Sequence, residues 1–198
     1  MLDIEERPKT PAEYNKAAME GTRTVLDRWV CFAGRGIGWL VFVAMGISVV
    51  EVVARYGFNN PTSWVHESVV FLIAVTFALG GPVALARNKH IRVRVIYDYV
   101  KPEKRRWLDV VNDGVTFIFC TFMTYAAYTM FYRSTHDPLG QWTLERSGTS
   151  WNPPIPSFVK GIILIAVVVM AVQALLHFIQ SLQGKGPMQR PERSGEAR

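Results

Sequence analysis

The sequence predicts an all-α, polytopic membrane protein, with four transmembrane helices, short interfacial helices, and both the N and C termini cytoplasmic. Two observations carry that prediction. The first is where charge is missing. No Asp, Glu, Lys or Arg occurs from Ser68 to Ala86 or from Gly114 to Tyr132, and the run Gly161 to Gln183 is broken only by His177. A helix rising about 1.5 Å per residue needs roughly 20 apolar residues to cross the hydrocarbon core. The shorter run Gly36 to Val50 reaches that length once Arg35 and Glu51 stand at the two interfaces. The second observation is where charge collects. Of the 22 Lys and Arg residues, five lie at or before Arg28, eight between Arg87 and Arg106, and four beyond Gln183. A four-span path puts those three segments on one face of the bilayer, and an excess of bases there marks the cytoplasmic side. The net charge of +6 is therefore a signature of topology, and it argues against a nucleic-acid partner.

The expected organisation is a mobile cytoplasmic tail over 1–21, a four-helix membrane domain over 22–183, and a second mobile cytoplasmic tail over 184–198. The spans fall at about 35–54, 64–86, 107–132 and 156–180. The opening residues mix acids with bases and hold no apolar stretch, so they do not read as a secretory signal, and span one is expected to direct its own insertion. Between Thr22 and Gly34, Val25, Leu26, Trp29, Val30 and Phe32 alternate with Arg23, Asp27 and Arg28, the pattern of a short interfacial helix. Gly34 and Gly38 have the spacing for close helix approach.

Asn59, Asn60 and Pro61 stop span one and make the outer turn. Thr62 or Ser63 is then expected to cap span two, with Trp64 as interfacial anchor and Glu67 in the first turn. Pro82 removes one backbone bond late in that span and is expected to kink it near Ala78. Residues 87–106 hold eight bases against Asp98 and Glu103. Apolar residues interleave with them, so the segment is expected to lie on anionic lipid headgroups, with contact to a partner protein as the alternative. Pro102 and Glu103 open the third helix. In the outer loop, 133–155, Pro153, Pro154 and Pro156 hold the approach to span four extended. Lys160 is placed to reach the outer headgroups.

Candidate chemistry is sparse. His66-Glu67 begins like a zinc-protease helix, but the second histidine that motif needs is replaced by Val70. No other histidine shares its position, so no metal ligands and no catalytic residues are assigned. Ser48, the one serine well within span one, has no histidine at its depth for nucleophilic catalysis. Glu51, Arg55 and Glu67 are expected to form one outer-surface charge cluster stapling the first hairpin, in preference to an ion pathway. Asn112 and Asp113 open span three on the inner side. Cys31 and Cys120 read as apolar filler. With no repeat visible between the span pairs, the chain reads more as a subunit than as a complete transporter. The readings that compete with a subunit are an autonomous membrane enzyme using His66 and Glu67, and a self-assembling four-span channel.

Residues 55–100 resemble the small membrane subunit, DctQ-type, of tripartite ATP-independent periplasmic (TRAP) transporters. The resemblance rests on an Arg-Tyr and Phe-Asn-x-Pro turn (Arg55, Tyr56, Phe58, Asn59, Pro61) and on Trp64 and Glu67 opening span two. Gly80 and Gly81 late in that span follow, then His-Ile-x-Val at His90, Ile91 and Val93. The later WNPPIP with Lys160 and Gln173 is also similar to members with a longer outer loop. Two departures stand out: His66 occupies one position of an acid pair common in the family, and Arg94 follows Val93 where many members carry an acid nearby. The resemblance implies a non-catalytic scaffold in a bacterial inner (cytoplasmic) membrane, beside a large membrane subunit that imports an organic anion. A periplasmic substrate-binding protein delivers that anion; Trp142 and Trp151 are candidate contacts to it or, alternatively, anchors at the lipid interface. The implied sodium gradient acts on the partner subunit, with no cofactor expected in this chain.

Overall fold

The computed structural model describes residues 22–87 and 102–183, with side chains of the second stretch from Trp107 onward. Those residues form four helices, α1 (Val25–Gly57), α2 (Trp64–Ala86), α3 (Pro102–Thr135) and α4 (Ile155–Leu182). Each is long and apolar enough to cross a membrane. Among the described residues there is no strand, only an isolated antiparallel bridge between His136 and Trp142. The tails at 1–21 and 184–198, the basic segment from Asn88 to Lys101, and with it His90, Ile91 and Val93, lie outside the described residues.

Thr24 starts α1 with a reciprocal cap. Its hydroxyl accepts the Asp27 N–H at 3.2 Å, and the Asp27 carboxylate accepts the Thr24 N–H at 3.0 Å. Two of the N–H groups that a helix start leaves unbonded are thereby satisfied. From there the helix runs 33 residues without interruption, about 50 Å at the α-helical rise. The interfacial segment expected over 22–34 is thus continuous with span one. No proline lies between Val25 and Gly57 to break the hydrogen-bond ladder, and the glycines at 34, 36 and 38 do not end it.

The turn expected at Asn59 to Pro61 is present. The N–H groups of Phe58 and Asn60 both donate to the Ala54 carbonyl, at 3.3 and 3.0 Å. Asn59 takes φ 51°, a left-handed conformation that asparagine tolerates better than most residues. The cap expected for α2 is not formed by a side chain. Ser63 holds the N-cap position without a side-chain bond, while the Thr62 hydroxyl donates to Glu51 instead. The helix passes through Pro82 and ends at Ala86.

Packing runs α1 on α2, α2 on α4 and α4 on α3, which makes α4 the most buried of the four. Four glycines mark the crossings. A β-carbon at Gly34 would sit 2.8 Å from Val83 Cγ2, one at Gly81 3.0 Å from Met170 Sδ, one at Gly161 3.1 Å from Phe131 and one at Gly114 3.2 Å from Phe178. Helix axes come this close only where a side chain is absent. Gly38 has open space at that position, so the Gly34–Gly38 spacing is used at its first residue alone. Leu85, Cys120 and Ala174 form the small core, flanked by Phe117, Met170 and Ala171. Cys31 and Cys120 are buried and unbridged. Large apolar side chains cover much of the outside of α1 and α3, the arrangement a bilayer solvates.

Candidate functional site

The helix directions define two ends. The basal end carries Val25, Ala86, Pro102 and Leu182; the loop end carries the connections 58–63 and 136–154. Polar side chains concentrate at both, in different ways.

At the basal end, Asp27 is fully buried. Besides capping α1, its Oδ1 accepts from Gln173 Nε2 at 2.9 Å and its Oδ2 lies 2.9 Å from His177 Nε2. Both partners are on α4, one helical turn apart, so i, i+4 spacing aims them at the same carboxylate. One turn earlier in the chain, Arg23 Nη1 donates to Asp113 Oδ2 on α3 at 2.8 Å. Ser181 Oγ donates to the same oxygen at 2.6 Å. The Arg23 and Asp113 side chains are 2% and 6% exposed, so this is a buried ion pair. Charges removed from water persist only when paired and hydrogen-bonded. The start of α1 and the residue before its cap are thereby tied to α4 and α3, although the long packing surface of α1 is against α2.

The sequence places Asn112 and Asp113 at the inner opening of span three and Asp27 among the polar residues of an interfacial helix, and it gives neither acid a partner. The signal for Asp27 was present in Thr-x-x-Asp at 24–27, a helix-start signature. Its pairing across about 150 positions of sequence has no local signal.

At the loop end the cluster expected of Glu51, Arg55 and Glu67 is divided. Arg55 donates through Nε and Nη2 to Glu51 Oε1 at 3.0 and 2.6 Å, and the Thr62 hydroxyl and N–H donate to Glu51 Oε2. This closes the α1–α2 turn. Glu67 is buried and turned elsewhere: its Oε1 accepts from the Thr149 hydroxyl, 82 residues on. On α2, Glu67 is buried, whereas His66, about 100° around the helix from it, is exposed. His66 and Glu67 consequently face different surroundings and share no site.

Thr149 belongs to the loop between α3 and α4, which is stitched to its own helix ends. Ser157 Oγ donates to the Ser134 and Glu145 carbonyls at 2.9 and 3.1 Å. The Glu145 N–H donates to Ser134 O at 2.9 Å, and Lys160 Nζ donates to the Glu145 carboxylate. Lys160 therefore has a protein partner where lipid headgroups were expected. The Lys160 hydrogen bond, seconded by Ser134, holds the Glu145 carboxyl below the usual glutamate range. Trp142 meets His136 edge to face, 5.2 Å between centroids at 81°. Trp142 and Trp151 both keep substantial exposed surface.

Of the other motif positions, Tyr56 and Phe58 are strongly exposed at the turn and Trp64 opens α2. Gly81 is the close approach to Met170, while Gly80 meets nothing within 4 Å.

Residues 44–184 match the family model described as tripartite ATP-independent periplasmic transporters, DctQ component. No curated protein sequence matches the chain. The matched stretch includes Glu51, Arg55, Glu67, Asp113, Gln173 and His177, and it leaves Arg23 and Asp27 outside.

Proposed function

The chain belongs to the DctQ family, the small membrane component of TRAP transporters, and from that premise we propose that it is a non-catalytic scaffold within the transporter. It is a multi-pass inner-membrane protein. Its proposed partner is a large membrane subunit that couples a sodium gradient to import of an organic anion. A periplasmic substrate-binding protein would deliver the anion to the loop end, with Trp142 and Trp151 as the candidate contacts. The cytoplasmic placement of the basal end follows from the bases that flank it.

The observation that carries the scaffold reading is how the polar side chains inside the bundle are used. Asp27 is bonded to Thr24, Gln173 and His177, Asp113 to Arg23 and Ser181, and Glu67 to Thr149. Each bond joins parts of this chain to one another at an end of the bundle, so these groups fasten helices. A transport path needs ionisable groups distributed through the bilayer and facing a cavity.

The test is uptake in proteoliposomes containing the large subunit, with binding protein and a labelled dicarboxylate, sialic acid or oxo acid that the binding protein retains. Sodium-driven uptake is expected only when this chain is co-reconstituted. Uptake by this chain without the large subunit, or full uptake by the large subunit without this chain, contradicts the proposal. Single-channel conductance from the purified chain would support the channel reading instead. Loss of a measured activity in His66→Ala with assembly intact would support an enzyme.

A further inference from the structure

One face of α1 takes no part in the bundle. Arg28, Phe32, Arg35, Trp39 and Phe42 follow at steps of four, three, four and three residues, which keeps them in one stripe along a helix of 3.6 residues per turn. All five are exposed. Trp39 and Phe42 lean on each other, 5.6 Å between centroids at 49°. Gly36, next to Arg35, has nothing within 4 Å of where a β-carbon would project, so the helix surface there is open. The acid nearest in sequence, Asp27, is buried and bonded to His177 and Gln173. Among the described residues neither Arg28 nor Arg35 makes an ion pair.

Depth gives the stripe its meaning. Arg35 precedes Arg55 by 20 positions, about 30 Å of helix, which is the thickness of the hydrocarbon core. With Glu51 and Arg55 bonded to the loop-end turn, Arg35 falls at the opposite hydrocarbon boundary. Arg28 stands two turns further out, about 10 Å, at the far side of the headgroup layer. Trp39 and Phe42 lie on the hydrocarbon side of Arg35. A guanidinium matches a phosphate with paired N–H donors.

We infer that this stripe binds an acidic phospholipid of the basal leaflet. Arg35 takes the phosphodiester, Trp39 and Phe42 lie along the first acyl carbons, and Arg28 sets the preference for net negative charge. A zwitterionic headgroup would place its ammonium at the level of Arg28, where like charges repel. A partner's transmembrane helix would present apolar side chains at the depth of Arg35 and leave two cations unmatched; the leaflet supplies the complementary charge. The assignment depends on α1 crossing the membrane and not on the scaffold role.

The experiment is native mass spectrometry of the full chain in detergent with phosphatidylglycerol and phosphatidylethanolamine added at equal concentration. The wild-type chain retains phosphatidylglycerol preferentially. The Arg28→Gln/Arg35→Gln double variant loses that retention by on the order of tenfold, as expected for two cations at an anionic surface. Arg28→Lys/Arg35→Lys keeps most of it, and Arg133→Gln, which removes a charge from the loop end, leaves it unchanged. An unaltered thermal midpoint in the double variant separates lost binding from lost fold. Equal retention of the two lipids by the wild-type chain, equal retention by wild type and the double variant, or an equal loss in Arg133→Gln overturns the assignment. So does a photo-crosslinker at position 39 that captures a protein in native membranes where lipid is expected.

Discussion

The two ends of the bundle use the same kinds of side chain for different purposes. At the loop end, Glu51 and Arg55 are four residues apart on one helix, and the Arg55 side chain is 50% exposed. At the basal end, Arg23, just before α1, and Asp113, on α3, are 90 positions apart and almost wholly out of water. Exposed pairs lose most of their attraction to water and to side-chain entropy. Buried ones cannot be broken singly without stranding a charge. The basal pair therefore determines how helices assemble, whereas the Glu51–Arg55 pair trims a local turn.

The largest expected effect comes from Asp113→Ala, which leaves the Arg23 guanidinium buried and uncompensated. A loss of about 3–5 kcal/mol should appear in the thermal or denaturant unfolding of the chain in detergent. An unchanged midpoint would mean that Arg23 finds another partner or water. Next is Thr149→Val, which removes the bond that the Thr149 hydroxyl donates to the buried Glu67 carboxylate. Hydrogen bonds to charged groups are worth about 1.5–3 kcal/mol, and the loss should also speed proteolysis of the 136–154 loop. If cleavage is no faster, the loop is held by its own bonds to Ser157 and Lys160.

A smaller effect is pH-dependent. The Glu145 carboxyl is held below its ordinary value of 4.5, first by the hydrogen bond from Lys160 and then by that from Ser134. Its contribution is complete above that ordinary value and is lost as pH falls through the lowered one. Protection of the loop should therefore hold at neutral pH and weaken only below about 4.5, and Glu145→Gln should flatten the dependence. Weakening centred on neutral pH would point to a histidine. The smallest effect belongs to the exposed pair. Arg55→Glu should shift stability near the limit of detection, and Glu51→Arg should recover it, whereas Glu67→Arg should not. Recovery by Glu67→Arg would place Glu67 back in one cluster with Arg55.

Much of the fold was legible because membrane insertion writes itself locally. Uncharged runs located the helices, Pro102 marked the start of α3, and Asn59 marked the turn. Helicity at 25–34 was also legible, as a separate short helix; that it runs on into span one follows from the absence of a proline between Val25 and Gly57. The polar networks were harder to read. Asp27 looks like one more charge on the wet face of an amphipathic helix, and His177 like an interruption in an apolar run. Only the fold brings them within 2.9 Å. Glu67 was recognised as a motif position, yet its partner Thr149 sits in a loop whose path no spacing reveals. The family resemblance identified the chain through the α1–α2 turn, whereas the densest buried bonding lies at the opposite end.

The most direct test of the scaffold account compares transport per assembled complex. Asp113→Asn and Glu67→Gln variants would be co-purified with the large subunit, quantified as complex, and assayed for sodium-driven uptake in proteoliposomes. The account predicts that less complex is recovered while uptake per complex stays at the wild-type level. Wild-type recovery of complex with uptake lost would contradict it, because these side chains would then be taking part in transport.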